Sequence, residues 1–218
     1  MSLDFILDFS TYSQLLPFII GVFAFVRKNL NSVVKQFFLI IILGSITEIL
    51  CLILDYSNLP NGIAMNCYTF LSCTLFLTLF KKAQTLSQKW FFVAITILCI
   101  GSSLILSINR EFQVMDNDLM IFTNYILMSL ASITLIKMTN GDIDNLFSQP
   151  LFWISATLLI FSTASNIAYS LFPGSAYDTN PQLNDQIWIV HGTLNILCNI
   201  LYSYVFICTF KNRFILLS

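Results

Sequence analysis

The stretch Gln186–Phe210 (QIWIVHGTLNILCNILYSYVFICTF) is apolar and long enough to cross a bilayer, which takes about 20 residues at ~1.5 Å each. It nevertheless carries His191, Asn195 and Asn199, spaced four apart, with Tyr202 and Ser203 continuing the row. That spacing puts the polar groups on one face of a helix. Hydrocarbon cannot satisfy such a row, so it must face protein or water. A chain with this segment needs other helices packed around it.

Six further apolar runs supply those helices. The spans are expected at about 12–26, 34–54, 63–80, 90–108, 119–138, 151–172 and 186–210, within one transmembrane domain covering 12–210. Residues 1–11 mix large apolar side chains with Asp4 and Asp8 and suit an interfacial segment on the outer side. They lack the basic start of a signal peptide, so the first helix is expected to be retained. Residues 211–218 read as a short cytoplasmic tail. The fold class is thus an all-α integral membrane protein, a seven-transmembrane-helix bundle. Only 10% of the residues are charged, against roughly 25% in soluble domains.

Basic residues set the orientation. The connections after spans one, three and five, with the C-terminus, hold nine of the ten Lys and Arg; Arg110 alone falls on the other side. That other side carries Asp4, Asp8, Asp55, Glu111, Asp116, Asp118, Asp178 and Asp185. The expected topology is N-terminus outside, C-terminus inside. Trp90 and Trp153 then fall at the inner interface and Trp188 at the outer one.

Polar residues inside the spans are the functional candidates: Glu48, Asn66, Asn124, Asn166, His191, Asn195, Asn199 and Tyr202. Counted from each helix centre, Glu48 lies roughly 6 Å outside the midplane, Asn124 and Asn166 roughly 6–8 Å, and His191 about 10 Å. Ser102, Ser103 and Ser165 follow the same bias, and Ser162, Asn166 and Ser170 form another four-spaced row. The inner halves are poorer in polar groups. A channel or transporter needs a polar route to both faces, whereas a receptor pocket needs one from its own side. The asymmetry points to a pocket open to the outside, with Glu48 and His191 in it and acting on one another. Against this stands a plainer reading, in which protonated Glu48, neutral His191 and the Asn rows only fasten helices together.

The expected function is a small receptor-like or sensory module, taking a small-molecule ligand from outside and signalling through a membrane partner or a second copy. The alternatives are a small transporter or channel for a solute or protons, and a structural subunit of a membrane complex. The bilayer is the common partner, in the plasma (bacterial inner) membrane. No cofactor, metal or nucleic acid is expected, since there is one histidine, no basic patch and no phosphate-binding loop. No hydrolase or protease motif appears, so no enzyme is expected. The six cysteines lie in apolar runs without a CxxC pair and read as packing residues. Span seven has no lysine for retinal, and Pro17 has no counterpart in span five to make the paired Pro-Gln helices of small sugar transporters.

Overall fold

The computed structural model describes residues 3–27, 30–108, 116–141, 145–171 and 181–215. Lys28, Arg110, Glu111 and Asp178, and the side chains of Asp4, Lys211 and Arg213, lie outside the described residues. Every described element is helical: α1 (Leu3–Ser13), α2 (Leu15–Val26), α3 (Ser32–Tyr56), α4 (Gly62–Lys82), α5 (Gln88–Ile108), α6 (Asn117–Thr139), a single 3-10 turn (Leu146–Ser148), α7 (Pro150–Leu171) and α8 (Pro181–Ile215). Among the described residues, seven helical segments are long and apolar enough to cross a membrane, with α1 and α2 together forming the first, Phe5–Val26.

Local chemistry accounts for the helix ends. Asn31 caps α3 by accepting from the Val34 N–H at 2.9 Å, and Asp116 caps α6 by accepting from the Leu119 N–H at 3.0 Å. Pro150 and Pro181 open α7 and α8, where a missing N–H costs nothing. Asn58, Gln84 and Asn145 take positive φ in the connections (54°, 60° and 79°). The break between α1 and α2 at Gln14 falls where Pro17 can offer no N–H to the Ser13 carbonyl and its ring crowds that carbonyl.

Three boundaries differ from the sequence reading. The first apolar segment begins near Phe5 rather than Tyr12, because Leu3–Ser13 is helical and packs along α8. Gly192 permits that approach; a Cβ there would stand 2.9 Å from Ile6 Cγ2. At its own ends α8 begins at Pro181, inside the segment read as an outer loop, and continues through Ile215 into the segment read as a tail.

Helices α3, α4, α6, α7 and α8 form the body of the bundle, with α1 and α2 laid along α8. Helix α5 is peripheral: it packs on α4 and α6, and only 11% of its apolar window is buried, against 44% for α3. The core holds Phe37, Leu77, Leu79, Phe80, Ile154, Leu158, Val205 and Phe206. The exterior is equally apolar, with Ile19, Phe23, Leu39, Ile46, Ile100, Leu104 and Ile136 all exposed. A surface of this kind suits hydrocarbon as solvent rather than water.

Charges sort to the two ends of the bundle. Arg27, Lys35, Lys81, Lys82, Lys89 and Lys137 gather at one end, where Lys82 Nζ donates to Gln36 Oε1 at 2.7 Å and Gln36 Nε2 donates to Thr78 Oγ1 at 2.9 Å. Asp55, Asp116, Asp118 and Asp185 gather at the other. These are called the lysine end and the aspartate end below.

Candidate functional site

One face of each central helix lines the cavity with residues at intervals of mostly three and four, many of them polar. On α8 the row is His191, Asn195, Asn199 and Tyr202; on α4 it is Met65, Tyr68, Thr69 and Ser72; on α6, Met120, Thr123 and Asn124; on α7, Phe161, Ser165 and Tyr169; on α3, Gly44, Thr47 and Glu48. These faces converge, with Gln14 from the α1–α2 break, on a cavity of about 260 Å³. A cavity of roughly 150 Å³ already holds a benzene ring. Helix α5 contributes nothing to the wall.

The cavity is polar toward the aspartate end and apolar toward the lysine end. Met65, Met120 and Tyr169 lie within about a turn of their helix ends on the aspartate side. The floor is Phe37, Ile40, Ile41, Phe76, Leu127 and Leu158. An aromatic cluster continues from the floor toward the lysine end: the Phe37 ring centroid is 5.1 Å from that of Tyr202 and 5.7 Å from that of Phe206, and Phe38 meets Phe206 edge-on at 5.8 Å. Phe37, Leu77, Phe80 and Phe206 are fully buried.

Six of the eight sequence-predicted residues line this cavity: Glu48, Asn124, His191, Asn195, Asn199 and Tyr202. The other two do not. Asn66 Oδ1 accepts from the Asp116 N–H at 2.9 Å and so pins α4 to the cap of α6. Asn166 faces α6, its Nδ2 donating to Met128 Sδ at 3.5 Å. The serine row shows the same rotation: Ser162 is buried away from the cavity, Ser170 is exposed, and Ser165 alone lines the wall. Ser102 and Ser103 sit in a groove between α4 and α5.

Each candidate is held by a specific neighbour. Asn195 Nδ2 donates to Ser10 Oγ and Asn199 Nδ2 to Ser13 Oγ, both at 2.8 Å, so α1 takes up the spare amides of α8. His191 Nε2 pairs with Ser165 Oγ at 3.2 Å. Its ring sits among Phe161, Tyr169 and Trp188, with centroids at 6.1, 5.9 and 5.5 Å. Trp188, expected as an interface anchor, thus also builds the box around His191. Glu48 has the Thr11 side chain as a polar neighbour. Glu48 and His191 therefore share one cavity but bind different neighbours.

The sequence reading passed over Gln14, Tyr68 and Tyr169. Gly44 brings two of them together: a Cβ there would lie 2.6 Å from Gln14 Nε2 and 3.3 Å from the Tyr68 hydroxyl. The signal for Tyr68 was its place four residues before Ser72, the same step that separates His191, Asn195 and Asn199 on α8. All six cysteines are unpaired. Among the described residues no group of three His, Cys, Asp or Glu is placed to hold a metal ion.

Among the described residues, fold and site together define an all-helical bundle with seven helical segments fit to span a membrane and a polar cavity inside it. No protein-family model matches the chain, and no curated protein or solved structure matches it.

Proposed function

We propose that this chain is a small receptor-like membrane module, N-terminus outside and C-terminus inside, that takes a small molecule into the cavity from the aspartate end. The observation that carries the reading is the one-sidedness of the cavity. Its polar wall belongs to the aspartate end, and packed aromatic rings continue from its floor toward the lysine end. Lys and Arg at the lysine end support its assignment to the cytoplasmic side. Occupancy would be passed on to a membrane partner or a second copy of the chain.

A second reading, a small transporter, draws on the α1–α2 break. Interrupted helices at a midplane site recur in transporters, and Gln14 at this break lines the cavity. Reconstitution into liposomes separates the two. The receptor reading expects no protein-dependent movement of protons or small solutes across the vesicle wall, and a saturable flux abolished by Glu48→Gln would establish transport instead.

A further inference from the structure

We propose that the cavity is built for a small organic ammonium compound, with its charge against Glu48 and its apolar body on the floor formed by Phe37, Ile41, Phe76 and Leu127. This rests on the pocket reading above and names the chemistry of the occupant.

Charge is the first ground. Among the described residues Glu48 is the only carboxylate in the wall, and no Lys or Arg lines it. A carboxylate inside a bundle needs a counter-charge or a proton. The polar neighbour that the protein gives Glu48, the Thr11 side chain, is neutral. Among the described residues the wall thus offers no Lys or Arg to an ionised Glu48, and an ammonium brought by a ligand would supply the cation.

The second ground is the aromatic lining. Tyr68 and Tyr169 line the same cavity as Glu48, together with Phe37, Phe76 and Phe161. Aromatic faces attract cations, most strongly when water is excluded. They offer nothing comparable to a carboxylate or phosphate.

The third is the approach. Among the described residues the aspartate end carries Asp55, Asp116, Asp118 and Asp185 and no Lys or Arg. A mouth of one sign concentrates the opposite ion. Size sets the last limit: about 260 Å³ suits one ring with a short polar arm.

The test uses the full chain in nanodiscs with three probes of one shape: phenethylamine, 2-phenylethanol and phenylacetate. Each is titrated while binding and thermal midpoint are followed. The expected result is saturable stabilisation by the amine, at least about tenfold tighter than the alcohol, as a charged hydrogen bond would give. No stabilisation is expected from the carboxylate. Glu48→Gln should bring the amine down to the level of the alcohol. If the alcohol or the carboxylate binds as tightly as the amine, the ammonium assignment falls while the pocket stands. The same follows if Glu48→Gln leaves amine binding unchanged. If none of the three binds, the pocket reading falls with it. Should Glu48→Gln not fold, the comparison of the three probes on the parent chain decides alone.

Discussion

Ser165 Oγ and His191 Nε2 meet at 3.2 Å across the α7–α8 contact. Ser165 is 1% exposed, so its hydroxyl is committed to holding the imidazole in its aromatic box. Removing it takes away the protein partner of the ring nitrogen. Ser165→Ala should cost about 1–3 kcal/mol. In a double-mutant cycle with His191→Leu, followed by thermal unfolding in detergent, the two should couple by at least ~0.5 kcal/mol. The cycle of Glu48→Gln with His191→Leu should show the smaller coupling, because those residues bind different neighbours. The reverse order would mean that Glu48, not Ser165, sets the state of His191.

The α1–α8 contact is the second test. Ser10 and Ser13 receive the amides of Asn195 and Asn199. Replacing Asn199 by Leu leaves the Ser13 hydroxyl without that donor, and replacing Ser13 by Ala leaves the amide without an acceptor. Each single change should lower stability by roughly 1–2 kcal/mol, and the double change by less than their sum. Additive losses would show that α1 is held by Ile6 against Gly192 and not by this pair.

Glycine substitutions separate the cavity from the scaffold. A Cβ at Gly44 meets the mobile ends of Gln14 and Tyr68, whereas one at Gly101 would lie 2.3 Å from the Phe122 ring. Gly44→Ala should therefore rearrange the cavity wall at small cost to stability. Gly101→Ala should loosen α5 from α6, costing about 1–3 kcal/mol as overpacking does, and leave probe binding unchanged. Equal losses of stability in the two variants would place both glycines in the scaffold.

Orientation is tested by cysteines at Leu59, in the α3–α4 connection, and at Gly141, after α6. With a membrane-impermeant thiol reagent added to intact cells, Leu59→Cys should label and Gly141→Cys should not. Labelling at 141 would invert the topology and turn the cavity toward the cytoplasm.

Most of the helices were legible in the sequence because their apolar runs are long and the basic residues alternate between connections. What could not be read was rotation. Ser162–Asn166–Ser170 and Phe161–Ser165–Tyr169 are both four-spaced rows on α7, about 100° apart. Only packing decides that the second faces α8 and the first faces α6 or the outside. The same ambiguity put Asn66 among the pocket residues, although its carbonyl is spent on the Asp116 cap. The α1 helix was hidden for another reason. Asp4 and Asp8 suggested an interface, and nothing local shows that Ser10 and Ser13 are the partners of amides some 185 residues further on. Tyr68 and Tyr169 were passed over because a tyrosine in an apolar run usually serves as core or belt; only convergence of the helices makes it a wall.

Whether the cavity opens on one side only can be measured directly. Cysteines are placed one at a time at Thr69 and Ser72 on the cavity wall, with Phe80→Cys as a control below the floor. A membrane-impermeant thiol reagent is applied to sealed vesicles from either side. Adducts are counted by intact mass against the parent chain, so the native cysteines cancel. The expected result is modification at 69 and 72 from the outer side only, and none at 80. Modification at 69 and 72 from the inner side would reveal a through-path and favour transport, and no modification from either side would leave a sealed polar core with a structural role.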